Sequence, residues 1–174
     1  MVEYPDKIFL IGFMGVGKSH WGRLLSTQLG YAFIDLDEEI SRMAGGRTIT
    51  EIFEEEGEEF FRRLEANCLD QFIATDQQGV MACGGGTPCF LNNLGRMKKA
   101  GRVIWLQATA EELLPRLLAE RDKRPLIREL SEVELTHYIT KKMGDRQLFY
   151  RAADLAVAES ALTEKNLTQS LFYE

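Results

Sequence analysis

The chain has 174 residues, 45% of them hydrophobic and 28% charged, which suits one soluble globular domain with an ample core. Its net charge of −6 argues against a general nucleic-acid binder, and no apolar run is long enough to span a membrane. Cys68, Cys83 and Cys89 lack C-x-x-C spacing and only two histidines accompany them, so a Cys/His zinc site is not expected and the scattered thiols point to the cytoplasm.

Glu3 and Asp6 precede a short apolar run, which is not the pattern of a signal peptide. That run, Ile8–Ile11, reads as a strand. It leads into Gly12-Phe13-Met14-Gly15-Val16-Gly17-Lys18-Ser19, and a helical pattern through Trp21, Leu24, Leu25 and Leu29 covers 17–29. Strand, G-x-x-x-x-G-K-S and helix in this order form the context of a P-loop. Its glycines let backbone N–H groups turn around phosphate oxygens, and the helix adds its positive end. Lys18 supplies a charge for the β- and γ-phosphates, and the Ser19 hydroxyl is a ligand for Mg²⁺. A glycine-rich turn with a chance lysine is the plainer reading, but the flanks favour nucleoside triphosphate binding.

A second apolar run, Ala32–Ile34, is followed by Asp35-Leu36-Asp37. In an extended segment both carboxylates face the same side. One can hold a water on Mg²⁺ and the other can take a proton or hydrogen bond from a substrate hydroxyl. Asp37 can instead simply cap the helix expected to begin near it. A third helical pattern runs from Thr48 to about Thr75, with Ile49, Ile52, Phe53, Phe60, Leu64 and Phe72 on one face. It opens on a capping box, Thr48-x-x-Glu51, and Gly57 is expected to break or kink it. On it, Arg62 has Glu58 at i−4 and Glu65 at i+3. This is either a solvated ion-pair ladder or a bidentate carboxylate clamp.

Val80–Ala82 and Val103–Leu106 read as further strands. Gly84-Gly85-Gly86-Thr87-Pro88 follows the first of them as a loop that can approach a ligand closely. Arg121-Asp122-Lys123-Arg124-Pro125-Leu126 is a dense cationic turn, either a solvated helix end or a lid that carries an Arg to a transferring phosphate. Ser131-x-x-Glu134 caps a helix to about Ala152 that contains Arg146, and Leu155–Ala158 is the last strand. Short apolar runs alternating with helices predict a doubly wound α/β fold, with the strands of its parallel sheet buried on both faces and ligands beyond their carboxyl ends.

Taken together, the chain resembles the shikimate kinases over nearly its whole length. The motifs that carry the resemblance are G-F-M-G-V-G-K-S, F-I-D-L-D, T-E-I-F-x-x-x-G-E-x-x-F-R-x-x-E, the triple glycine, R-P-L and R-x-x-x-Y, in that order. The resemblance implies a three-layer α/β/α P-loop kinase fold with a five-stranded parallel sheet and a mobile lid. It implies a single domain over 1–174, with the lid at about 119–130 and a substrate-binding helical segment at about 37–65. It also implies ATP-dependent phosphorylation of the 3-hydroxyl of shikimate, with Mg²⁺ as cofactor; a monomer is expected, with neither nucleic acid nor membrane as partner.

Carried over by position, Gly12, Gly15, Val16, Gly17, Lys18, Ser19, His20 and Arg124 look like the ATP site. Ser19 and Asp35 look like the metal side. Asp37, Arg62, Gly84, Gly85, Gly86 and Arg146 look like the shikimate site, with Glu65 orienting Arg62. Lys18, Asp37 and Arg124 look catalytic. Three departures stand out. His20 replaces the usual Thr. Leu148 and Phe149 replace Pro-Leu after Arg146. The stretch from Glu159 to Lys165 offers no adenine-contacting residue. Another small-molecule kinase, such as a gluconate or nucleoside monophosphate kinase, is the nearest alternative. A non-catalytic nucleotide-binding module is the alternative from another class.

Overall fold

Five strands form one parallel sheet: β1 (Lys7–Ile11), β2 (Ala32–Asp35), β3 (Gly79–Ala82), β4 (Arg102–Gln107) and β5 (Leu155–Ala158). Their spatial order is β2-β3-β1-β4-β5 in a computed structural model that describes residues 4–173. Each strand lies within one residue of the apolar run that predicts it. The helices are α1 (Lys18–Leu29), α2 (Leu36–Met43), α3 (Ile49–Ala74), α4 (Asn93–Ala100), α5 (Ala110–Glu120), α6 (Glu132–Arg151) and α7 (Leu167–Phe172).

Side chains alternate across β1, and that alternation builds the two cores. Ile8 and Leu10 pack on one face with Leu25, Leu113, Leu135 and Leu167, from α1, α5, α6 and α7. Phe9 and Ile11 pack on the other with Leu36, Leu69, Phe72 and Met97, from α2, α3 and α4. Burial on both faces holds for β1 and β3. The rims depart from that expectation: β2 is half-buried throughout and β5 alternates between half-buried and exposed. Helices cover the middle of the sheet more completely than its edges.

Hydrogen bonding sets the element ends. The capping boxes at Thr48/Glu51 and Ser131/Glu134 form as expected, and a third forms at Thr109/Glu112. Gly57 interrupts α3 with φ 84° and ψ 172°, a conformation that suits only glycine. The break resets the helical phase. Phe61 is buried as a result, whereas Phe60, expected on the apolar face, is 39% exposed.

Loops after β1 and β3 open side by side at the carboxyl ends of the central strands, where such sheets hold ligands. Across from them runs the stretch expected to be a lid. It makes a short 3₁₀ turn at Arg121–Lys123, and its far end is not free, because Ile127 is fully buried in the core beneath α1, α5 and α6.

Candidate active site

The loop after β1 wraps around its own lysine. Lys18 Nζ donates to the carbonyls of Gly12 at 2.8 Å and Phe13 at 2.9 Å. Loss of hydration in the cleft lowers its pKa to about 8, partly offset by the Asp37 carboxylate. Gly17 takes the left-handed conformation that starts α1. Gly15, Gly17, Lys18, Ser19 and His20 line a cavity of about 450 Å³. Gly12 and Val16 do not line it. Gly12 passes so close to β4 that a Cβ would meet the Leu106 carbonyl at 2.5 Å. Val16 turns its side chain into the core, and its N–H donates to Phe13 O. His20 is exposed and meets Trp21 edge-on.

Asp35 works in two directions at once. One oxygen accepts from the backbone N–H groups of Asp37 and Glu38, so Asp35 is the N-cap of α2. Its other oxygen accepts from Ser19 Oγ. Asp35 and not Asp37 therefore caps this helix, against the plainer reading of Asp37, and the pair does not share the extended geometry that predicts a common face. Asp37 lies in the first turn of α2, yet both carboxylates reach the same cavity. Asp37 is open to solvent at the cleft mouth. The cleft walls still remove much of its bulk hydration, and with Asp35 beside it the carboxyl is pushed up to about 6. Among the described residues no group of three or more His, Cys, Asp or Glu could hold a metal ion. Ser19 and Asp35 nevertheless offer two converging hard oxygens, the donor set Mg²⁺ takes when phosphates and water complete its shell.

A second cavity of about 280 Å³ adjoins the first and is lined by Ile49, Phe53, Arg62, Glu65, Gly86 and Arg146, among others. Arg62 is both an ion-pair residue and a cleft residue. It bonds Glu58 at 3.3 Å and Glu65 at 2.9 Å, and its guanidinium lies 4.0 Å from the Phe90 ring centroid. Glu65 is fully buried and also accepts from Thr87 Oγ1 at 2.6 Å. The Thr87 carbonyl in turn accepts from buried Asn93. This chain from α4 to α3 holds Arg62 in one pose. Glu65 was legible from its spacing, whereas nothing in the sequence singled out Thr87 or Asn93.

The triple glycine owes its composition to space. None of the three has a left-handed φ. A Cβ at Gly84 would press on Thr87, Glu65 and Asp37, one at Gly85 on Arg146 Nη1 at 2.8 Å, and one at Gly86 on Arg62 Nη2 at 2.8 Å. Arg146 sits over the Phe13 ring, and Tyr150, one turn on, donates to the Gly85 carbonyl at 2.6 Å.

Both cavities share Met14, Asp37, Gly84, Gly85 and Arg124 as a common wall. Arg124 bonds Glu120 at 2.8 Å. Among the described residues three buried side-chain nitrogens lack a partner: Arg96 Nε, Arg124 Nε and Arg146 Nη1. Two of these belong to residues of the paired cavities, where anionic oxygens would satisfy them. A further cleft of about 500 Å³ lies behind Phe13, among Trp105, Gln107, Met143 and Gln147, and none of the predicted site residues lines it.

Residues 14–173 match the family model described as shikimate kinase. The shikimate kinase of Azobacteroides pseudotrichonymphae genomovar. CFP2 is 38% identical over 165 residues, covering 95% of this chain and 96% of that one. Among solved structures, a shikimate kinase from Bacteroides thetaiotaomicron is similar with a TM-score of 0.89 and 32% identity over 95% of both chains. A shikimate kinase from Acinetobacter baumannii in complex with shikimate has a TM-score of 0.84 and 34% identity, over 97% of this chain and 90% of that one. A gluconokinase from Sinorhizobium meliloti 1021, at 16% identity and a TM-score of 0.59, shares the fold alone.

Proposed function

The chain belongs to the shikimate kinase family, and we propose a division of labour among its residues for the family's reaction, transfer of the γ-phosphoryl group of ATP to the 3-hydroxyl of shikimate. The products are ADP and shikimate 3-phosphate, on the route to chorismate and the aromatic amino acids. One observation carries the assignment: two adjoining cavities of unlike chemistry meet at Asp37 and Arg124.

ATP occupies the cavity of the glycine loop. Backbone N–H groups at Gly15, Gly17 and Ser19 face its phosphates, and Lys18 leaves its carbonyl partners to meet the β- and γ-oxygens. His20 contributes its backbone at the α-phosphate, and Gly12 and Val16 serve by shaping the loop. Ser19 and Asp35 hold Mg²⁺, which when bound neutralises phosphate charge. Shikimate fills the smaller cavity, its carboxylate gripped by Arg62 and Arg146, with Gly84, Gly85 and Gly86 as the wall behind. Asp37 hydrogen-bonds the 3-hydroxyl. As the oxygen forms its bond to the γ-phosphorus and the bond to the ADP oxygen breaks, the hydroxyl proton passes to Asp37. A carboxyl near 6 is mostly ionised at neutral pH and basic enough to accept it. Arg124 stabilises the charge of the transferring group, and the segment 119–130 closes over it.

Action as a monomer is part of the same proposal. The free thiols Cys68, Cys83 and Cys89 suit the reducing cytoplasm; among the described residues no helix is long and apolar enough to cross a membrane. The test is coupled ADP release with shikimate, gluconate, AMP or no acceptor. Release that depends on shikimate alone is expected. Equal rates with gluconate, or none with shikimate, would overturn the assignment.

A further inference from the structure

One carboxylate outside the two cavities is tied to both the glycine loop and the helix beyond it. Glu159 follows β5, at the start of the stretch that offers no adenine-contacting residue in the sequence. Its Oε1 accepts from the indole N–H of Trp21, on α1, at 2.9 Å. Its Oε2 pairs with Arg116 Nη2, on α5, at 2.9 Å. Arg116 reaches on through Nη1 to the Gly15 carbonyl at 3.4 Å and lines the nucleotide cavity. Trp21 Cδ1 lies 3.2 Å from where a Cβ on Gly17 would stand. The Glu159 side chain is 14% exposed and Arg116 41% exposed. The carboxylate is thus the enclosed member of the pair, and the guanidinium opens toward the cleft.

We propose that Glu159 is a positioning residue for the nucleotide, acting through Trp21 and Arg116 on the glycine loop. The inference rests on the loop binding ATP. In a phosphate-binding loop the N–H groups turn inward and the carbonyls outward. Arg116 occupies the outward carbonyl of Gly15, and Trp21 buttresses Gly17 from behind. Glu159 fixes both side chains with one oxygen each, so loop and guanidinium are set before ATP arrives. Pre-set donors lose less freedom when the ligand binds. Arg116 also offsets a negative charge that would otherwise stand close to the phosphates. Releasing Arg116 would put a freer cation at the mouth. Its exposure leaves that gain well screened, so the loss of geometry dominates.

A stitch that merely joins β5 to the core would affect folding and both substrates alike, and Glu159→Gln separates the two roles. The amide keeps an acceptor for Trp21 but loses the ion pair with Arg116. The expected result is a KM for ATP raised about tenfold, with kcat and the KM for shikimate within about twofold. In a Trp105→Phe background, where Trp21 is the sole tryptophan, its fluorescence should report ADP binding weakened by the same factor. Trp21→Phe, which removes the indole donor and the ring atoms set against Gly17, should show the same selectivity. An unchanged KM for ATP, a lowered one, or equal losses for both substrates with a lower Tm would each overturn the proposal. The ADP titration needs no acceptor. Wild-type enzyme that binds ADP without using shikimate therefore refutes the assigned reaction and leaves this inference standing.

Discussion

Alanine at Gly85 should damage recognition of the acceptor while sparing the fold. The new Cβ would stand 2.8 Å from Arg146 Nη1, and its next neighbours are Gly12 O at 3.6 Å and Met14 N at 3.7 Å, both ordinary contacts. Relaxed non-bonded contacts begin near about 3.5 Å, so the guanidinium must retreat by roughly 0.7 Å. The obstacle is the far end of a flexible side chain, and Gly85 has no left-handed φ for alanine to strain. The cost in stability should therefore stay near about 1 kcal/mol, a fall in Tm of about 2–4 °C. The cost to shikimate is larger, because a retreating Arg146 gives up a charge-assisted hydrogen bond worth about 1.5–3 kcal/mol. That corresponds to a KM for shikimate raised about tenfold to a hundredfold. Coupled ADP release at saturating ATP, with thermal denaturation alongside, reads both quantities. A collapsed Tm with an unchanged KM would show that Gly85 serves packing and that Arg146 does not meet the acceptor.

Removing the loop cation with Lys18→Ala should lower turnover by about a thousandfold or more without altering the circular dichroism of the fold; near-normal turnover would refute its role. Asp37, raised to about 6, should give kcat a limb that falls as pH drops through about 6, with unit slope, and Asp37→Asn should abolish it. The stability effect has the opposite sense. The folded chain favours protonated Asp37, so that contribution is full below about pH 4 and lost as pH rises through about 6. Asp37→Asn should accordingly raise Tm at pH 8 and leave it unchanged at pH 4, and a lower Tm at pH 8 would contradict the assigned burial cost. Hydrogen exchange should slow across residues 121–126 when an ATP analogue and shikimate bind together, while the Ile127 amide, beside a side chain already buried, should be protected throughout. Fast exchange at 121–126 in the ternary complex would remove the closing segment from the mechanism.

Residues that interact along the chain are the most legible in the sequence. The strands show as apolar runs because they are short and mostly central. The capping boxes at Thr48 and Ser131 are four-residue patterns with local hydrogen bonds. Lys18, Ser19 and Asp35 fall in motifs whose spacing is itself the geometry. What escaped was set by distant partners. Periodicity puts Phe60 on the apolar face of α3, and the structure does not, because the Gly57 break shifts the phase by an amount no periodicity reveals. The F-I-D-L-D motif marks Asp35 as a cleft residue alone, whereas its second oxygen holds the start of α2. Thr87 and Asn93 matter through Glu65, 22 residues before Thr87 in the chain, and Glu159 through Trp21, 138 residues before it. The crowding of Gly84, Gly85 and Gly86 by charged side chains likewise belongs to the folded state alone.

The interruption at Gly57 divides the α3 wall of the proposed acceptor cavity into two stretches. Ile49, Thr50 and Phe53 lie before it and form an apolar cheek. Arg62 and Glu65 lie after it, bolted to α4 through Thr87 and Asn93. Nothing lies within 4 Å of the position a Gly57 Cβ would take, so no side chain braces the joint from that direction. Ile52 beside the cheek is fully buried and the Phe53 ring centroid lies 4.5 Å from that of Phe61, so the two stretches stay packed together and differ in the contacts they offer, apolar before the break and charged after it. Acceptor analogues altered on the ring face should therefore lose less affinity than analogues altered at the carboxylate, an order that their KM values would either bear out or reverse. One family of kinases could in this way drift in what it accommodates without loosening what it holds.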